Sequence, residues 1–235
     1  MDPIKTPALV LGSYHFGESD KRVILLTREA GKRTAIAKGG ARVKSKFGAR
    51  ILPLCHIDTL IAPGRNLDIL TQCETIDLYP KIHTVPARLE VGLRMAEFLQ
   101  QAVPTGSPIP HIYQLFLEFV EALKGSSAPH LLSSAFLIQF LEMEGLSPRL
   151  DQCAVCKKSM QRPPKKIAFG SQEGGILCRS CADARPDAAI LPYLCIEDII
   201  RWKTQKLQEF SHTTPLDQAA ILLPTLHHYA LQALS

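Results

Sequence analysis

No stretch of this chain approaches the ~20 consecutive apolar residues that a bilayer-spanning helix needs. Its start, Met-Asp-Pro-Ile-Lys, has neither the basic flank nor the apolar run of a secretory leader, so a cytoplasmic protein is expected. A phosphate-cradling Gly-x-x-x-x-Gly-Lys-Ser/Thr loop is missing: Gly31-Lys32 is followed by Arg33 and has no glycine at the required upstream place. No His-x-Glu pair occurs, which removes the zinc nucleobase deaminases. No acidic cluster suited to two metal ions is visible either, which argues against two-metal hydrolysis. Negative charge is absent from the whole interval between Glu29 and Asp58, which contains Lys32, Arg33, Lys38, Arg42, Lys44, Lys46 and Arg50.

What is there is ordinary globular material. A chain of 235 residues with 46% hydrophobic content holds one large or two modest domains. The net charge of +5 is unevenly spread. Residues 1–80 carry 12 Lys+Arg against 8 Asp+Glu and residues 149–185 carry 8 against 3, while 81–148 and 186–235 are mildly acidic, at 4 against 6 and 3 against 5. Two basic segments separated by acidic ones suggest a polyanionic partner touched in two places.

From Ala8 to Tyr79, short apolar runs alternate with turn residues: Ala8–Tyr14, Arg22–Thr27, Thr34–Ala37, Ile51–Ile61 and Leu67–Leu78. About five strands at this spacing predict a small closed or nearly closed barrel. Five is the strand count of an OB-fold, but an SH3-like barrel or a small sandwich gives nearly the same string. After Tyr79-Pro80 the period changes to helical. Helices are predicted from Pro86 to before Pro104, from Pro110 to Lys124, from Pro129 to Glu144, from Ile196 to Phe210 and from Leu216 to Leu234, the last kinked at Pro224. The third is apolar nearly all round and belongs in the middle of a bundle. The expected class is α+β: a barrel over residues 1–80 and an α-helical domain over 81–235.

Of the seven cysteines, Cys55, Cys73 and Cys195 sit in apolar surroundings and read as small core hydrophobes. The other four form two hooks, Cys153-Ala-Val-Cys156 and Cys178-Arg-Ser-Cys181. Each hook offers two thiolates from one tight turn, and together they make a tetrahedral, all-thiolate zinc site with no open position for chemistry. The spacer is one residue beyond the usual span of about 15–20, and the turn residues Pro163-Pro164 and Gly170 to Gly175 around Lys166–Phe169 accommodate it as a hairpin. Disulfides or free thiols are the bland reading, but a cytosolic chain keeps thiols reduced and a doubled hook there is a metal signature. A zinc ribbon at about 150–185, inserted between helices, is expected. His111, His227 and His228 read as surface or capped imidazoles, and Trp202 as a core anchor.

The basic segment, Lys38-Gly-Gly-Ala-Arg-Val-Lys-Ser-Lys-Phe-Gly-Ala-Arg50, joins flexible glycines to cations at 42, 44 and 46. In an extended chain those three project to one side, where they would contact phosphate and fix register without reading sequence. The bland reading is a solvated face. Stacking aromatics in the barrel are few, Tyr14, Phe16 and Phe47, so backbone contacts are expected to dominate. Lys32 and Arg33 would lie at the margin, and Lys157, Lys158, Lys165 and Lys166 would form a second contact.

The run Lys38-Gly39-Gly40-Ala41-Arg42-Val43-Lys44-Ser45-Lys46, after a strand turn at Gly31, resembles the Lys-Gly-(Ala)-Arg-x-x-Lys-Ser-Arg segment of the bacterial RecO family of recombination mediators. Phe169 through Gly174-Gly175-Ile-Leu-Cys178-x-x-Cys181 is similar to the zinc module that many members carry. The likeness extends over essentially the whole chain and rests on the order of the motifs. It implies an OB-fold at 1–80, a helical domain holding a structural Zn2+ at Cys153, Cys156, Cys178 and Cys181, and no catalytic centre. It also implies binding to single- and double-stranded DNA, strand annealing, cooperation with RecR, contact with the C-terminal tail of single-strand-binding protein and thereby RecA loading, in the nucleoid. The residues alone leave a second class in view: an RNA-binding or transcription-associated protein sharing barrel and ribbon.

Overall fold

Strands β1 (Ile4–Phe16), β2 (Asp20–Thr27) and β3 (Gly31–Ala37) form an antiparallel meander joined by tight turns at Gly17 and Gly31, both with positive φ. The computed structural model describes residues 2–160, 164–213, 215 and 219–234. β4 (His56–Ala62) pairs with β1 and with β5 (Asp68–Asp77), and β5 returns parallel to β3 at Ala35–Asp68 and Ile36–Ile69. The order β1-β2-β3-β5-β4 therefore closes on itself. Closure leaves no free edge to pair with other chains. This is an OB-like barrel, and its closure disposes of the open sandwich.

Its core is made by alternate residues of every strand, among them Val10, Val23, Leu25, Ala35, Ile57 and Leu70. One end is plugged by Phe47 and Ile51 from the β3–β4 connection, 1% and 0% exposed. The spacing of apolar residues places the start of the fourth strand at Ile51. In the structure Gly48–Ile51 is a 3-10 turn and the strand starts at His56, because Ile51 points into the barrel as part of the plug.

Three helices follow: α1 (Pro80–His83), α2 (Pro86–Ala102) and α3 (Pro110–Leu123). Proline stands at the first turn of each, where its missing N–H costs nothing. α2 packs against β1, and its Gly92 admits Leu54: a Cβ at residue 92 would come within 2.5 Å of the Leu54 side chain. Polar contacts add to this packing. Gln100 donates to the Leu11 carbonyl (2.8 Å), the Tyr79 hydroxyl donates to Glu121 (2.6 Å), and His56 Nε2 meets the Tyr113 hydroxyl at 2.7 Å. Burial lowers the pKa of His56 and pushes the Tyr113 hydroxyl up to about 12.

By contacts the chain forms two compact units, Met1–Gly125 and Ser126–Ser235. The helical period begins at residue 80, but α2 and α3 pack with the barrel, so the unit extends to 125. A change of period marks where strands end, and packing decides where a unit ends.

In the second unit α4 (Pro129–Met143) is buried on all sides from Leu131 to Leu141 and packs against α6 (Tyr193–Trp202) and α7 (Ala219–Ala233). The predicted helix from Ile196 to Phe210 stops at Trp202. There the Trp202 carbonyl accepts from Gln139 (2.8 Å) and the chain turns into a 3-10 segment at Leu207–Glu209. Trp202 is fully buried, its Nε1–H bonded to the Ser211 carbonyl. The predicted start of the last helix at Leu216 lies outside the described residues, and Pro224 sits inside α7. β6 (Lys166–Gly170), β7 (Gly175–Leu177) and β8 (Ala189–Pro192) form an antiparallel sheet in the order β7-β6-β8, and α5 (Arg179–Ala182) follows β7. The hairpin was expected. β8 was not, since its four residues give no period. Cys55, Cys73 and Cys195 are buried and in no disulfide among the described residues. Among the described residues no helix is long and apolar enough to cross a membrane.

Candidate functional site

The four hook cysteines converge. The sulfurs of Cys153, Cys156, Cys178 and Cys181 all lie within 4.8 Å of one another, and those of Cys156 and Cys178 are 3.6 Å apart. A tetrahedron with ~2.3 Å metal–sulfur bonds has edges of about 3.8 Å, so little movement separates this arrangement from coordination. The first hook turns through Lys157, held at φ 61, with the Lys157 N–H on the Cys153 carbonyl (3.0 Å) and the Cys153 N–H on that of Lys158 (3.0 Å). It is tied to β7 by Ala154 N–H to Ile176 O (2.8 Å). Just before the hook, Arg149 also pairs with β7, its carbonyl accepting from Ile176 N–H (3.0 Å), and Gly175 allows that approach, since a Cβ there would stand 2.2 Å from the Arg149 carbonyl oxygen. The second hook forms α5, with Cys181 and Ala182 N–H groups both on the Cys178 carbonyl. Arg185 braces it by donating to the Cys181 carbonyl (3.1 Å) and pairing with Glu173.

The electrostatics of the donor set favour a cation. Burial opposes ionising Cys153, but the backbone N–H groups of Cys156, Cys178 and Val155 aimed at its sulfur outweigh it and lower its pKa. Cys178 is drawn down to about 6, chiefly by the Ser180 hydroxyl. Cys181 is pushed up to about 12, first by its hydrogen bond to Cys178. Such a set ionises part of its sulfurs readily and resists ionising the rest, because each further thiolate meets the charge of the others. A divalent ion at the centre removes that repulsion. Four thiolates in this geometry fit zinc. They are the one group of metal-ligating type found among the described residues.

The basic stretch is the β3–β4 connection, and its conformation differs from expectation. Residues 38–47 run through successive turns, with Gly40 N–H on Ala37 O, Arg42 N–H on Gly39 O and Ser45 N–H on Arg42 O. The alternation of an extended chain therefore does not aim the side chains of Arg42, Lys44 and Lys46. The aim is set by anchors at both ends. Gly39 N–H donates to Asp20 (2.7 Å) and Ala41 N–H to Ser19 O (2.9 Å), which fixes the loop to the β1–β2 turn. At the other end Phe47 plugs the barrel. Buried there, it is withdrawn from any stacking role.

The seven cations separate into two groups. Arg33 pairs with Asp68 (2.8 Å), and Lys32, its pKa lowered by burial, donates to the Gln100 carbonyl. Lys46 donates to Thr71 O (2.8 Å), and Arg50 to Lys46 O (2.8 Å) and Thr75 Oγ1 (3.3 Å). These four hold the loop and the strands in place. Lys38, Arg42 and Lys44 are exposed and make no side-chain hydrogen bond or ion pair among the described residues, and Val43 between them stands fully in solvent. Lys21 lies against Gly40, its Cβ 3.2 Å from where a Cβ on residue 40 would be, and Arg22 beside it is exposed. The sequence reading missed this pair, whose signal was two adjacent cations after the Gly17–Asp20 turn. In the second unit Lys157, Lys158, Lys165 and Lys166 are all exposed around the cysteine cluster.

Comparison with known proteins agrees with both halves. A family model described as the N-terminal part of recombination protein O matches residues 1–79, and one described as its C-terminal part matches residues 83–216. A DNA repair protein RecO from Rubrobacter xylanophilus is 34% identical over 190 residues, which cover 80% of this chain and 75% of that protein.

Proposed function

The chain belongs to the RecO family of DNA repair proteins, and on that premise we propose that it is a non-enzymatic mediator that binds single- and double-stranded DNA in the cytoplasm and anneals complementary strands. The observation that carries this reading is the loop of unpaired cations, Lys38, Arg42 and Lys44, fixed beside Lys21 and Arg22 at one end of a closed barrel. Two complementary strands repel through their phosphates. Cations held on a rigid support neutralise that repulsion, and base pairing then supplies the free energy. No phosphate loop is present and none is needed, so annealing proceeds without ATP. Membership of the family also supports cooperation with RecR, contact with the C-terminal tail of single-strand-binding protein and help in loading RecA.

Cys153, Cys156, Cys178 and Cys181 would hold one zinc ion, which with four thiolates and no open position fastens the ribbon and does no chemistry. Lys157, Lys158, Lys165 and Lys166 around it would give a second phosphate contact.

A salt titration tests the reading. Five cations on a single strand correspond to a log-log slope of about −3.5, at ~0.7 per phosphate. Replacing Lys38, Arg42 and Lys44 together with alanine should flatten that slope by about 2 and weaken binding to unrelated sequences alike. Equal slopes for the folded variant and wild type would place the DNA surface elsewhere. RNA of the same sequence at the same salt tests the alternative of an RNA-binding protein, which tighter binding to RNA would favour.

A further inference from the structure

β1 contains a feature that the cation loop does not use. Ala8 and Val10 point into the barrel, and strict alternation would send Gly12, Tyr14 and Phe16 after them. A bulge between Val10 and Gly12 reverses the strand's facing. Tyr14 consequently pairs across from Arg22 and Phe16 across from Asp20, on the face opposite to inward-pointing Val23 and Leu25. The two rings are 43% and 46% exposed.

The surroundings hold Tyr14 in place. Its ring lies over Gly12, where a Cβ would come within 2.7 Å of it. Its hydroxyl donates to Gln100 Oε1 (3.0 Å), and Gln100 is itself fixed by its bond to the Leu11 carbonyl. The Arg22 guanidinium sits 5.5 Å from the ring centroid. Phe16 stands two residues further along the same face, at the turn whose Ser19 and Asp20 hold the cation loop through Ala41 and Gly39. Asp20 is occupied there by the Gly39 N–H, so Lys38, Arg42 and Lys44 lie in the segment fastened to the turn that carries Phe16.

We propose that Tyr14 and Phe16, with Arg22, form a stacking platform for unpaired bases next to the phosphate-binding loop, so that the loop binds any DNA and the platform adds a preference for single strands. This rests on the DNA-binding reading above and assigns its strand preference to particular side chains. Every base has a flat face, so stacking on the two rings is indifferent to sequence. A duplex keeps its base faces inside the helix and gains nothing from the platform. Phosphates on the neighbouring cations and bases on the rings are contacts that one strand makes at once, and the adjoining positive charge identifies the occupant as nucleic acid.

The test compares wild type, Tyr14→Ala/Phe16→Ala and Phe16→Trp by fluorescence anisotropy at one salt concentration. The probes are a thymidine strand, an abasic strand of equal length and a duplex. Stacking contributes roughly 5- to 150-fold in affinity per base, equivalent to about 1–3 kcal/mol. The double alanine variant should therefore lose at least about fivefold on the thymidine strand and keep its duplex and abasic binding. Phe16→Trp should retain strand preference, and its emission should be quenched by the thymidine strand, against the background of buried Trp202. Both variants are checked for an unchanged thermal transition. Unchanged thymidine binding, or an equal loss on all three probes, would overturn the platform while leaving the cation loop standing. Failure of wild type to bind any of the probes would instead overturn the DNA-binding reading itself.

Discussion

Replacing Gly31 with alanine should destabilise the first unit far more than its position in a surface turn suggests. Gly31 has φ +68, a conformation that costs a residue with a Cβ about 1–2 kcal/mol. It also faces the α2–α3 connection so closely that a Cβ would stand 1.9 Å from the Ser107 carbonyl oxygen and 2.6 Å from its carbon. Those are backbone atoms, so no rotamer change relieves the overlap and residues 105–107 must move away. Their movement breaks the Gly106 N–H to Lys32 O bond (3.0 Å), which makes the Lys32–Thr105 bridge and is worth about 1 kcal/mol net. The sum is about 2–3 kcal/mol, or a fall in Tm of roughly 6–12 °C. Gly17 is the internal control: its φ is +65, but nothing lies within 4 Å of an added Cβ, so Gly17→Ala should cost only the backbone contribution of about 1–2 kcal/mol. Urea unfolding followed by circular dichroism, with calorimetry to assign the transition, measures both variants. If they lose equal stability, the close approach of residues 105–107 to Gly31 is not part of the folded protein.

Two further outcomes follow from the same kind of accounting. Native mass spectrometry of freshly reduced protein should find one zinc per chain, and Cys178→Ser or Cys181→Ser should lose it and unfold the ribbon, because ion binding in such small sites is worth on the order of 10 kcal/mol of folding free energy; metal-free wild type would refute this. Burial holds the pKa of His56 below its ordinary value of 6.5, against the upward pull of Glu121 and Asp77, and His83 is shifted the same way by burial. The unfolded chain therefore takes up these protons first as pH falls, so the stability from the neutral rings is complete above pH ~6.5 and is lost as pH drops toward the folded values. His56→Gln should flatten stability against pH below ~6.5, and an unaltered profile in urea titrations would show that His56 is not buried neutral.

Much of this molecule was determined locally and was therefore legible in the sequence. The two Cys-x-x-Cys hooks specify their site because each bites from a single turn, and the hairpin at Lys166–Phe169 needs only its bracketing glycines and prolines. The strand count and the all-round burial of α4 follow from the spacing of apolar residues alone. Tertiary structure decided what depended on residues distant in the chain. Closure of the barrel rests on the parallel β3–β5 pairing, whose partners lie more than thirty positions apart. The assignment of α2 and α3 to the barrel's unit comes from Gly92 admitting Leu54 and from Tyr79 reaching Glu121, neither of which leaves a periodic signal. Among the seven cations between Glu29 and Asp58, sequence showed only that negative charge was missing. It took Asp68, Gln100, Thr71 and Thr75 to engage four of them, and among the described residues no side-chain partner engages Lys38, Arg42 or Lys44. The facing of Tyr14 and Phe16 is the sharpest case. Alternation alone would bury both rings, and one extra residue in β1, accommodated against β2, turns them to solvent, because in a strand with a two-residue period a single insertion exchanges its two faces.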